Sequence, residues 1–355
     1  MVYSKLLLVL AFSMASTVSS NLFHLSSGTD ENILISGYNS EIAIYSLNNN
    51  LLTRKGSWIV NANLTWIQQA GGSFWAIHET SSFMGVPGGA VSRWEIMDNK
   101  LVMQEYLSLL SIGPAHLLVD LENNLAFTAN YGGGSVTVVS ITDGKLDKVT
   151  QLLKFGPGCR DQSHPHEVIR RGDLVWVTDL GCDLIYHFKI DGDQLHKLGE
   201  TVVENGAGPR HMILHETENL AFLVWELKNG IEVYNVNYLT GDLVLKQQLK
   251  LSSNDKDAGA EVLLSEDGET LYVSSRGTGI IAVFKQSGKE YEKVQELKLG
   301  GTWPRSVAIK RDTLLMADQV GNNTQVVSIN EDGMLKAGQI LPTPPSPAFV
   351  MFLNP

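Results

Sequence analysis

The chain is short of positive charge: 27 lysines and arginines stand against 38 aspartates and glutamates, for a formal net charge of -11. Nucleic acid and anionic membranes both demand a basic face, so neither is expected as a partner. A small anion held by a local group of arginines remains compatible. Membrane-spanning runs are missing too. The most apolar stretch, Leu6 to Phe12, is too short to cross a bilayer. With Lys5 ahead of it and the small residues Val18 and Ser20 behind, it reads as a secretory signal cleaved after Ser20. Residues 1–20 are then a signal peptide, and residues 21–355 an exported, soluble, monomeric domain. Cysteine is nearly absent. Cys159 and Cys182 are the whole supply, and an oxidising compartment favours one disulfide between them. Helical periodicity is also lacking throughout. Two glycosylation sequons, "NLT" at Asn63 and "NNT" at Asn322, agree with export.

What the chain does have is a repeat. A Pro/Gly-rich lead-in followed by an apolar strand recurs around Trp66, His116, His166, His211, Glu261, Ser306 and Ala348, with gaps of 50, 50, 45, 50, 45 and 42 residues. That spacing suits one four-stranded propeller blade. Second strands such as "LVWVTDL" and third strands such as "DLIYHFKI" follow in each repeat. The last anchor lies too near the C-terminus to complete a blade. "NILISGY", "EIAIYSL" and "LLTRKGSW" at the other end supply the missing strands. The expected fold is therefore all-β: a seven-bladed β-propeller whose ring closes by pairing N-terminal strands with the C-terminal strand.

In such a ring, innermost strands begin and second strands end on one face, where loops from several blades surround a channel mouth. His166, Arg210 and Arg305 open innermost strands; Glu79, Glu226 and Arg276 close second strands. His116 and His211 are read as sharing the repeat position of His166. Glu226 suits a general base and His166 a proton relay, with Arg210 and Arg276 holding an anionic group or a developing oxyanion. Arg305 and Glu79 are substrate-contact candidates. The competing reading is a ring of structural ion pairs. No cofactor and no metal are expected. The acidic residues Glu79, Asp179, Glu226 and Asp318 fall in two different registers, and His164 with His166 lacks a third ligand nearby. Cys159 and Cys182 fall in turns on this same face, so their bridge is expected to brace the loop carrying His166.

The motifs "ANYGGGSV", "HPHEV", "DLGCDLIY", "GPRH" and "GGTWPRSVAI" resemble, in order and spacing, the repeats of the lactonase family of seven-bladed propellers. That family holds propeller-type 6-phosphogluconolactonases and fungal carboxy-cis,cis-muconate cyclases. The resemblance covers roughly residues 60 to 350. It implies metal-free hydrolysis of a sugar-derived or other small anionic lactone, with muconate cyclisation as an alternative activity. The family's proposed active-site residues match His166, Arg210, Glu226 and Arg276. Where the family tends to carry asparagine, this chain has Trp225 before Glu226 and Ser275 before Arg276. The indole of Trp225 is expected to narrow or redirect the site. These departures and the export signal leave a third reading, a non-catalytic secreted propeller that binds a small ligand or a protein.

Overall fold

Every regular element of the computed structural model is a β-strand; it describes residues 31–60, 63–98, 100–156, 159 and 162–354. The proposed signal, residues 1–20, lies outside the described residues. Seven four-stranded antiparallel sheets are present. Blade 1 combines Glu31–Gly37, Glu41–Asn48 and Leu51–Ile59 with Pro347–Phe352 from the other end of the chain. Blades 2 to 7 begin with Leu64–Ala70, Pro114–Asp120, Pro165–Arg171, Pro209–Leu214, Ala258–Leu264 and Pro304–Lys310. These innermost strands touch one another in sequence, and Pro347–Phe352 touches both Pro304–Lys310 and Leu64–Ala70. Seven innermost strands therefore form a complete ring.

The closure rests on an apolar ladder. Ile33 pairs with Phe352, Leu34 with Met351 and Ile35 with Val350. Joining both chain ends in one blade removes an exposed sheet edge.

Burial follows strand position. All six residues of the second strands "LVWVTD" (Leu174–Asp179) and "LAFLVW" (Leu220–Trp225) are buried, because neighbouring blades cover both faces. The outermost strand Gln194–Val202 is largely exposed, with Leu195 its one buried residue. Side chains of adjacent blades share clusters: Phe222, Val224 and Ile231 of blade 5 pack with Val262, Val273 and Phe284 of blade 6. Each such side chain contributes roughly 1.5–3 kcal/mol on burial.

Innermost strands open on a register break. The ladder skips between Pro114 and His116, Pro165 and Glu167, Pro209 and Met212, Gly259 and Val262, and Pro304 and Ser306. Such a bulge re-aims side chains at a strand end, and proline cannot donate to the ladder there. One further feature went unread in the sequence. A two-stranded hairpin, Ser82–Phe83 with Val86–Pro87, is inserted after the second strand of blade 2 on the mouth face.

Candidate active site

Backbone hydrogen bonds define equivalent positions around the mouth. The N–H groups of Tyr38, Glu79, Leu180, Glu226 and Gln319 donate to the carbonyls of Ser346, Asn63, His164, Gly208 and Trp303, the residues leading into the innermost strands. Glu79 and Glu226 thus hold one repeat position, as read from the sequence. The residue after each lead-in proline forms a second ring, containing His166, Arg210 and Arg305. This corrects one reading. His166 does not share a position with His116 and His211, because alignment on Pro114, Pro165 and Pro209 places those histidines one residue later, level with Glu167. In these three blades the proline, not the histidine, marks the repeat position.

The predicted charged residues meet. Arg210 Nε donates to Glu226 Oε2 at 2.9 Å, and an Arg276 guanidinium nitrogen lies 3.1 Å from the same oxygen. Both arginines are also tied to backbone: Arg210 to the Ala260 carbonyl and Arg276 to that of Gly259, each at 2.6 Å. Arg305 donates to the Tyr38 hydroxyl at 2.8 Å, and Tyr38 donates to Glu79 Oε1 at 2.7 Å. Glu79 therefore positions Arg305 through Tyr38, while its Oε2 is buried and has no hydrogen-bond partner. Arg276 also lies against the Trp303 ring, 5.5 Å from its centroid.

Burial and the neighbouring guanidinium groups together set the ionisation states. Burial alone would raise the Glu226 carboxyl, but Arg276, Arg210 and Arg305 outweigh it and hold it below the usual carboxylate range. Its side chain keeps 22% exposure, and both arginine contacts fall on Oε2. His166 is buried beside Arg210, His211, Arg305 and Arg276, which keeps its imidazole neutral far into acid. Its Nδ1 has no hydrogen-bond partner, and neither has Arg276 Nε. Burial raises the Tyr131 hydroxyl; Glu226 reinforces the shift, and Arg210, Arg305 and Arg276 oppose it. All these charges act across one opening.

Beneath the mouth, the next residue of each innermost strand forms a floor. The Trp66 ring lies 4.2 Å from His116, 5.5 Å from His211 and 5.1 Å from Phe349. His211 reaches from blade 5 to Trp66 of blade 2, so these rings cross the channel. The site is a cup opening on one face.

Asp179 and Asp318 serve the loops. Asp179 Oδ1 accepts the N–H groups of His164, Gly181 and Cys182, and Oδ2 accepts the Ser163 hydroxyl. Asp318 does the same for Thr302 and Trp303. The disulfide between Cys159 and Cys182 is present and joins this clip to the segment before His166. Cys159, Asp179 and Cys182 are also the one group of metal-type donors found among the described residues. Two of them are bonded to each other and the third has its oxygens occupied. His164 stacks on Tyr131 at 4.3 Å and bonds the Tyr131 carbonyl through Nδ1, a loop-fixing role.

Trp225 does not narrow the mouth. Adjacent strand residues face opposite ways, so Glu226 faces the channel and Trp225 packs between blades 4 and 5 with Val203, Ala207 and Leu223. A Cβ on Gly230 would meet its ring at 2.2 Å, so glycine makes room for the indole. Ser275 is likewise fully buried. The sequons also lie on the mouth face. Asn63 is half-buried; Asn322 is exposed, and its Oδ1 accepts the Ser346 N–H. Tyr38, Tyr131 and Trp303 were missed in the sequence, and His211 and Glu261 were read only as anchors of the repeat. Aligning second-strand ends would have flagged Tyr38 and Tyr131.

Fold and geometry define a seven-bladed propeller with a charged cup at one end of its channel. Comparison with known proteins places it further. The sequence profile described as "Lactonase, 7-bladed beta-propeller" matches residues 32–352, and the chain belongs to that family. It is 28% identical to a 6-phosphogluconolactonase of Bacillus subtilis over 283 residues, 75% of this chain and 81% of that one. A crystal structure of a Lactobacillus plantarum protein superposes with a TM-score of 0.85 at 26% identity, covering 92% of this chain and all of that one. A periplasmic gluconolactonase of Pseudomonas aeruginosa shares the fold, with a TM-score of 0.82 at 21% identity over 92% of this chain and 99% of that one.

Proposed function

We propose that this protein is an exported hydrolase of a small anionic sugar lactone, with 6-phosphogluconolactone the first substrate to test. The observation that carries this reading is the meeting of Arg210, Arg276 and Arg305 with Glu226 and His166 in one cup, in a chain of the lactonase family. Three guanidinium groups stand against two carboxylates, Glu226 and Glu79, at the charged ring of an otherwise acidic protein. Planar paired donors suit a phosphate or carboxylate and a developing oxyanion.

In this mechanism Glu226 orients the two guanidinium groups through Oε2 and takes a proton from the attacking water through Oε1. Water oxygen bonds to the lactone carbonyl carbon, and the carbon–ring-oxygen bond then breaks. The ring oxygen keeps the electron pair and receives the proton by way of His166. A neutral imidazole has one donor and one acceptor nitrogen, as a relay needs. Export is part of the same proposal, supported by the N-terminal apolar run, the cysteine bridge and the sequons.

The test is hydrolysis of 6-phosphoglucono-δ-lactone and glucono-δ-lactone by the mature chain, followed by acid release at constant pH. Saturable turnover with preference for the phosphorylated lactone is expected. A folded protein that binds 6-phosphogluconate and turns over neither lactone would reduce the proposal to a ligand-binding propeller.

A further inference from the structure

Below the mouth lies a buried pair that the mechanism above leaves unused. His211 Nδ1 is 2.7 Å from Glu261 Oε1, and both side chains are buried. The other imidazole nitrogen, His211 Nε2, has no hydrogen-bond partner. The His166 ring, with its unpartnered Nδ1, stands 4.9 Å away. Two histidines from neighbouring blades thus hold buried, unpartnered nitrogens in adjoining rings, and one of the rings is backed by a carboxyl group.

Resting on the lactonase reading, we propose that His211 is a further catalytic residue, the last member of the relay through His166 and the group that hands the proton to the leaving ring oxygen, and that Glu261 is the positioning residue that fixes its tautomer. The surroundings select the protonation pattern. Glu261 is enclosed by its own strand, where its N–H donates to Ser274 Oγ, with Arg210 the principal cation acting on it. Burial outweighs that cation and pushes its carboxyl up to about 8, so it carries a proton at neutral pH. His211 is held neutral by burial and by Arg210, Arg305 and Arg276, against the opposing pull of Glu226. A protonated carboxyl donates to Nδ1, which leaves the imidazole proton on Nε2, the nitrogen without a partner.

The step balances. As the carbon–ring-oxygen bond breaks, its electron pair stays on oxygen, which takes the Nε2 proton of His211 while Nδ1 takes the proton of Glu261. The proton lost by the attacking water passes from Glu226 to His166 and on to His211, restoring the pair. One water is consumed and one hydroxy acid formed.

The second pair of this layer differs. His116 Nδ1 accepts the Val168 N–H, and its Nε2 lies 3.8 Å from Glu167. Glu167 already accepts the Met212 N–H at 2.5 Å. Only Nδ1 of His116 is hydrogen-bonded, and to a backbone N–H; the histidine with a carboxyl group at hydrogen-bond distance is His211.

Three variants of the full mature chain test this with 6-phosphoglucono-δ-lactone. His211→Asn keeps a polar group at the Nδ1 position and removes Nε2; kcat should fall roughly 100-fold with KM within about 3-fold. Glu261→Leu should lose a similar factor, and Glu261→Gln, which can still donate to Nδ1, should recover most of it. Nitrogen-15 spectra of the imidazoles give a readout independent of turnover: the proton of His211 sits on Nε2 in the parent chain and is shared between both nitrogens in Glu261→Leu. A KM effect without loss of kcat, or a proton on Nδ1 in the parent chain, would overturn the assignment. If the spectra agree and the parent chain hydrolyses no lactone, the hydrolase reading fails and the donor role fails with it, while the tautomer-fixing pair stands.

Discussion

Blades 4 and 7 use the end of their second strand differently from blades 5 and 6. In blades 4 and 7 an aspartate closes the strand, and its oxygens are filled by loop N–H groups and hydroxyls. In blades 5 and 6 the same position holds Trp225 or Ser275, turned away from the channel, and the following residue, Glu226 or Arg276, carries the charge. Neighbouring positions of one repeat therefore divide into loop support and a charged ring at the channel. The strand alternation makes the division: one residue faces the next blade or the loop, and the following one faces the cup. A satisfied carboxylate holds a loop, whereas Arg276 Nε is buried at the charged ring without a hydrogen-bond partner.

The largest expected effect breaks the chemical half. Glu226→Gln keeps the size and removes the base, so turnover should fall at least roughly 1000-fold. Calorimetry should show 6-phosphogluconate binding largely intact. Because the arginines depress the Glu226 carboxyl, its ionised form persists as pH falls, and the acid limb of kcat should lie below the ordinary glutamate range near 4.5. An acid limb at pH 6 or above would assign the base elsewhere. Arg210→Ala should weaken lactone processing or product binding by about 2–4 kcal/mol, since the guanidinium is a charged contact in a sheltered site.

The supporting half should answer in stability. Asp179→Ala strips acceptors from three N–H groups and one hydroxyl, for a loss of about 2–4 kcal/mol by denaturant unfolding. Opening the bridge with Cys159→Ser and Cys182→Ser together releases a loop of 23 residues in sequence separation, worth about 3 kcal/mol in the chain-entropy account. The smallest effect concerns Trp225. Trp225→Phe should cost about 1 kcal/mol of stability and leave KM unaltered, because the indole packs between blades. A changed KM would return that side chain to the mouth.

Glu261 offers a check by pH. Its folded-state carboxyl lies above the unfolded value, so its contribution is fully present below about 4.5 and declines as pH rises toward 8. Glu261→Gln should flatten that part of the stability profile, read from denaturation midpoints between those limits.

The sequence by itself determined the architecture, because a blade is a local unit. Its period, its turns and its buried second strands are written in contiguous residues, and even the shared blade follows from leftover strands at both ends. It also named Arg210, Glu226 and Arg276, whose charges stand out in apolar strands. What it misplaced is equally instructive: His166 was aligned with the wrong histidines, and Trp225 was aimed at the wrong surface. The first came from lining up the repeats on histidine instead of proline, and the second from not applying the strand alternation that turns Trp225 between the blades while Glu226 faces the channel. Only the closed ring brings Arg305 to Tyr38 across 267 residues of chain, and His211 to Trp66 across the channel. Those contacts join distant segments, so they exist only once all seven blades have packed.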